Sequence, residues 1–155
     1  MKRIISLLLT LVFILSCVPV AAVSEPLSFN LEELFVRPVI DALKNRLLVP
    51  DSLSLRDIGC VGLSVGDNSY IFFAIQYVAK NKMGGYTDDW VFALTTQEYP
   101  VDEFAMTSAD GDLSHGSDTM LAALKQVMWD YLGNSQKYRT HTKWKTLPTD
   151  SMLYN

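Results

Sequence analysis

The chain has 155 residues, 49% of them hydrophobic and 19% charged, with a formal net charge of −4. That length predicts one domain, and the apolar fraction is too high for a disordered chain. Eight glycines and six prolines exclude collagen-like and low-complexity sequence, and two cysteines exclude a disulfide scaffold.

Residues 1–24 read as a leader rather than as part of the fold. Lys2 and Arg3 precede an apolar run from Ile4 to Cys17, broken only by Ser6, Thr10 and Ser16. Pro19 then stops any helix, because it lacks an N–H and clashes with the preceding turn. The small residues Ala21-Ala22-Val23-Ser24 follow. This is the order of a cleavable secretory signal, with cleavage after Ala22 or Ser24. A membrane span needs about 20 apolar residues, and this run is shorter. Ile14-Leu15-Ser16-Cys17 also resembles a bacterial lipobox, with Leu15 bulkier than usual there. The chain is therefore expected to be secreted or extracytoplasmic. The alternative is a lipid anchor through Cys17 at the outer face of the membrane.

From Glu25 onward, 11 Lys and Arg face 17 Asp and Glu, a net charge of −6. An acidic body argues against general nucleic-acid binding, which requires positive surface. With Cys17 removed or lipidated, Cys60 stands alone, and a lone cysteine of this kind is expected to be buried as a small hydrophobe.

Residues 25–145 are predicted to form a single α+β domain, with 146–155 as a C-terminal tail. Asn30 followed by Glu33 is a capping-box pattern for a first helix. Pro38 should kink that helix or start a new one. Val39, Ile40, Leu43 and Leu47 then continue an amphipathic stripe that ends before Pro50. Leu53–Leu63 reads as a strand and Val65–Asn68 as a turn. Ser69–Lys80, rich in aromatic and β-branched residues, gives the strongest strand signal. Gly84 and Gly85 supply a hairpin connection to a third strand, Tyr86–Thr96. Glu98–Gly116 is polar and acidic and reads as a loop. Ser117 or Asp118 caps a second helix with an apolar stripe through Met120, Leu124, Val127, Met128 and Tyr131. Gly133 stands where a C′ glycine would end it. The expected architecture is helix, three-stranded antiparallel meander, helix and a C-terminal edge strand, with the helices covering the sheet.

Leu43-Lys44-Asn45-Arg46-Leu47, Pro50-Asp51-Ser52 and Ala79-Lys80-Asn81-Lys82-Met83-Gly84-Gly85-Tyr86-Thr87 resemble a group of small exported bacterial proteins without established function. The resemblance implies a helix followed by an antiparallel sheet, with the Lys-Asn…Gly-Gly-Tyr segment at a hairpin. Met83 departs from the aromatic residue of that pattern. The resemblance covers about a third of the chain and transfers no catalytic residue.

Gly62-Leu63-Ser64-Val65-Gly66 matches the G-x-S-x-G pattern, but a nucleophile elbow requires a strand-to-helix turn and here a strand follows. His115 and His141 are the only histidines, so Ser64 or Cys60 would have to recruit one of them as a base. Both histidines lie in polar segments. Asp110, Asp112, Ser114 and Asp118 offer oxygens to a hard cation such as Ca²⁺. Counted from Asp110, however, His115 and Leu121 occupy the positions where an EF-hand needs Gly and Glu. No cofactor is predicted.

Lys137, Arg139, His141, Lys143 and Lys145 alternate with Tyr138, Thr140, Thr142 and Trp144. In a strand this would make one basic face. Lysines on an edge strand also guard against aggregation. The functional reading is a docking face for an anionic partner. Lys80, Asn81, Lys82 and Tyr86 around the glycine turn form a second candidate loop, for which turn chemistry alone is the competing account. The function expected is a small exported non-catalytic binding module acting on an extracellular or envelope partner. The alternatives are a small secreted hydrolase using Ser64 or Cys60, and an inhibitor of an extracellular enzyme.

Overall fold

The computed structural model describes residues 31–149. The segment predicted as a leader, with Cys17, the predicted Asn30 cap and residues 150–155 lie outside the described residues. Helix α1 (Leu31–Arg46) leads into a short 3₁₀ turn at Pro50–Ser52. Strands β1 (Ser54–Val65), β2 (Asn68–Lys80), β3 (Tyr86–Thr96) and β4 (Phe104–Ser108) follow. A two-residue β5 (Ser114–His115), helix α2 (Asp118–Arg139) and a two-residue β6 (Lys145–Thr146) complete the order. The six strands form one antiparallel sheet in the order β5-β4-β3-β2-β1-β6.

The fold is α+β, with one helix against each face of the sheet. Along β2, Ile71, Phe73, Ile75, Tyr77 and Ala79 pack with α1 residues Val36, Val39, Ile40 and Leu43. The alternate residues Tyr70, Phe72 and Ala74 pack with α2 residues Leu124, Val127, Met128 and Tyr131. Strand periodicity puts neighbouring residues on opposite faces, so a sheet covered twice reads as an unbroken apolar run. Burying each large side chain stabilises the fold by about 1.5–3 kcal/mol. Among the described residues no helix is long and apolar enough to cross a membrane.

Several expectations are revised. Pro38 lies inside α1, which continues past it, so of the two alternatives it does not start a new helix. The acidic segment predicted as a loop contains β4, whose Ala105, Met106, Thr107 and Ser108 are buried. Gly133 does not end α2. The helix kinks at Asn134 (φ −135°, ψ 29°), and the Asn134 amide donates to the Asp130 carbonyl and carboxylate at 3.2 and 3.0 Å. It then resumes, because Tyr138 in the next turns packs edge-on against Tyr131 at 5.4 Å. Ser117 caps the helix, its hydroxyl accepting from the Met120 N–H.

The long basic edge strand is the main correction. Lys137 and Arg139 belong to α2, His141 to Lys143 form a turn, and only Lys145 of the five basic residues is in a strand. The alternation of basic and aromatic residues comes from a helix end followed by a turn. Trp144 stacks on Tyr131 at 5.7 Å and crosses Tyr138 at 6.5 Å, which draws the segment back onto the α2 face. Beyond it, Leu147 is buried and its N–H donates to the Ile58 carbonyl at 2.8 Å.

Candidate functional site

One sheet edge and the segment crossing it bring most of the basic candidates together. β6 pairs with β1 only at Gly59 and Cys60. From Val61 to Val65, β1 has no strand on its outer side among the described residues. The Leu147 bond shows that Ile58 points its backbone groups outward. In an antiparallel ladder this orientation recurs every second residue, hence at Cys60, Gly62 and Ser64. Cys60 is paired with Lys145, whereas Gly62 and Ser64 keep their outward N–H and C=O groups unpaired among the described residues.

A cleft opens on each side of this edge. On the α1 side, Glu32, Phe35, Cys60, Ile71, Gln97, Lys143 and Lys145 enclose about 230 Å³ beside Gly62. On the α2 side, Val61, Leu63, Asp130, Lys137, Tyr138 and His141 enclose about 220 Å³. Val61 and Gly62 border both clefts, and the linings otherwise differ because β1 sends Cys60 to the α1 face and Leu63 to the α2 face.

The five basic residues have different occupations. Arg139 donates to Asp57 at 2.8 Å, donates to the Tyr131 hydroxyl at 3.4 Å, and lies 5.7 Å over the Trp90 ring. A one-residue bulge between Leu55 and Asp57 makes the ion pair with Arg139 geometrically accessible. Leu55 and Ile58 then both face α1, and Asp57 faces α2. Lys145 pairs with Glu32 at the entrance of the first cleft. Both ion pairs are partly exposed, so each contributes no more than about 1 kcal/mol. His141 accepts the Lys143 N–H on Nδ1 at 3.2 Å, which leaves Nε2 to carry the proton of the neutral ring. Lys137 and Lys143 form no ion pair among the described residues. Within the second cleft Tyr138 donates to Asp130 at 2.5 Å. Burial and the adjacent carboxylate push the Tyr138 phenol up to about 12.

The glycine hairpin is built from turn chemistry. The Asn81 side-chain oxygen accepts the Met83 and Gly85 N–H groups, both at 3.0 Å. Gly84 takes φ +80°, which a side chain would resist. The Lys80 ammonium lies 5.5 Å over the Tyr86 ring. Lys82, Met83 and Tyr86 are exposed at this tip. Val78 pairs with Ser54, so the hairpin lies at the opposite end of the sheet from Val65.

The nucleophile candidates are not assembled. β1 passes through Gly66 and Asp67 straight into β2, so Ser64 sits on a strand opposite Ser69 and not on a strand-to-helix turn. By strand alternation Ser64 projects to the α1 side, while His141 lines the cleft on the α2 side. His115 lies on β5, about 19 Å away at four inter-strand steps. Its ring packs on Phe104 at 4.7 Å, and Arg46 reaches its Nδ1 at 3.4 Å. Cys60 is buried, and its thiol is pushed up to about 12 by burial and the nearby Glu32 charge, partly offset by Lys145. The thiolate that would attack is therefore disfavoured at neutral pH.

Asp110 braces the β4–β5 turn. It accepts from the Ser108 hydroxyl and, at 3.1 Å, from the Asp112 N–H. These bonds hold its carboxyl below the usual range. Asp118 stands apart in the first turn of α2. Among the described residues no group of three His, Cys, Asp or Glu is placed to hold a metal.

No family model, curated protein or solved structure matches this chain. The functional reading therefore rests on the geometry above. Sequence reasoning named all five basic residues of this region but missed the β1 edge and both clefts. The signal available was the pair of glycines Gly59 and Gly62 inside one strand; a strand glycine marks a place of close approach, and at Gly59 the Trp144 indole makes it.

Proposed function

We propose that the protein is an exported, non-catalytic binding module that holds an anionic partner at the rim of the two clefts beside Gly62. The observation that carries this reading is the placement of Lys137 and Lys143. Among the described residues they are the lysines of the C-terminal cluster without an ion pair, and they stand on opposite sides of one strand. Two fixed positive charges flanking a partly enclosed edge attract and orient an anion even though the body is acidic. Export is supported by the order of charge, apolar run, proline and small residues in the leader. The partner is accordingly extracellular or in the envelope.

The test is retention on immobilised polyglutamate at low and at physiological salt. The parent should be retained and should elute as salt rises. A Lys137→Glu, Lys143→Glu variant with unchanged circular dichroism should pass through. Equal retention of parent and variant would overturn the reading.

A further inference from the structure

We infer that the outer edge of β1 at Gly62 and Ser64 accepts an extended acidic segment of a partner as an added strand. This rests on the anion-binding reading above and names both the partner's chemistry and its mode of binding. The edge offers two outward N–H donors and two outward carbonyls, and it lies in line with β6, which already pairs with β1 antiparallel. Backbone bonds to an open edge supply affinity, and pockets for alternate side chains supply specificity.

The two clefts dictate the pattern of the segment. Side chains directed to the α2 side meet Val61, Leu63 and Tyr138, with Lys137 at the rim, and should be aliphatic. Side chains directed to the α1 side meet Lys143 across the bare Cα of Gly62 and should be carboxylates. Among the described residues a Cβ built at residue 62 would have only the Gln97 amide within 4 Å, at 3.5 Å, so Gly62 is uncrowded on that face. Charge also decides between occupants. A second copy pairing edge to edge about a two-fold axis would bring like lysines together, the device by which natural edges resist self-association. An acidic strand instead meets Lys137 and Lys143, while the cleft carboxylates Glu32 and Asp130 are engaged by Lys145 and by the Tyr138 hydroxyl.

The test uses the full chain and a capped synthetic peptide alternating glutamate with valine and leucine, followed by fluorescence anisotropy. A second peptide of the same sequence carries N-methyl groups on the amides that would face β1. The Ser64→Pro variant removes an outward N–H without touching the β1–β2 ladder, a site where proline is tolerated. The unmethylated peptide should bind the parent. The N-methyl peptide should bind about tenfold or more weakly, and Ser64→Pro should weaken the unmethylated peptide similarly. Equal binding of the two peptides to the parent would overturn strand addition and leave the anion-binding reading standing. Failure of both peptides with polyglutamate retention intact would have the same meaning. Failure of both peptides and of polyglutamate retention would overturn both readings. A dimer whose Gly62 and Ser64 amides are already protected from exchange would assign the edge to a second copy and overturn the inference.

Discussion

The indole of Trp144 lies against the backbone of Gly59, so close that a methyl group built on that glycine would stand 1.9 Å from a ring carbon. This contact brings the C-terminal segment to the edge of β1, and through it the lysines that flank Gly62. A Gly59→Ala substitution should therefore expel the indole, loosen residues 140–147 and destabilise the protein by about 1–3 kcal/mol. Tryptophan emission should shift to the red, and a second substitution, Trp144→Ala, should make residue 59 tolerant of alanine. An unchanged emission maximum and melting temperature in the single variant would show that the contact is not needed.

The Cys60 thiol is shielded and held in its neutral form. A thiol reagent at neutral pH should modify it only as the protein unfolds, and rapid labelling of the native protein would contradict its placement. Its raised pKa has a consequence for alkaline stability. Below the ordinary thiol value of 9.0 the contribution is fully present, and it is lost as pH rises from there to about 12. Cys60→Ala should flatten that part of the stability profile, measured by urea unfolding at a series of alkaline pH values.

Thr95 is fully buried, and its hydroxyl is the one buried side-chain polar atom without a hydrogen-bond partner among the described residues. Valine has nearly the same shape and no polar atom to satisfy. Thr95→Val should raise stability by about 1 kcal/mol. A loss of stability on that substitution would mean that the hydroxyl has a partner in solution.

Glu32 and Lys145 tie the start of α1 to β6. Burial raises the Glu32 pKa, but the Lys145 hydrogen bond, the residue's own N–H and the Lys145 charge together lower it below the usual value. A depressed carboxyl stabilises the fold above its unfolded pKa, near 4.5, and that contribution is lost as pH falls through the folded value. Glu32→Gln should therefore reduce the acid sensitivity of unfolding below pH 4.5. Identical acid profiles for parent and variant would show that the pair contributes nothing measurable.

The meander was legible because its signals are local. Asn81 with Gly84 and Gly85 marks the hairpin, and Ser117 marks the start of α2. Ile71-Phe72-Phe73-Ala74-Ile75 also carried the information that both faces are covered, since an unbroken apolar run has no solvent face. β4 was hidden because Phe104-Ala105-Met106 is short and stands between acidic neighbours. The basic alternation from Lys137 to Lys145 imitates period two, while Tyr131, Tyr138 and Trp144 assemble through space into an aromatic cluster. The β1 bulge and the pairing of Asp57 with Arg139, 82 residues apart, depend on tertiary packing that no local pattern records.

The most direct test of the binding account is a backbone amide NMR titration of the full chain with polyglutamate. The predicted shifts cluster at Gly62, Ser64, Lys137, His141 and Lys143 and fade as salt is added. Shifts confined to Lys80–Tyr86, or spread evenly over the surface, would contradict the assignment of the β1 edge as the binding site.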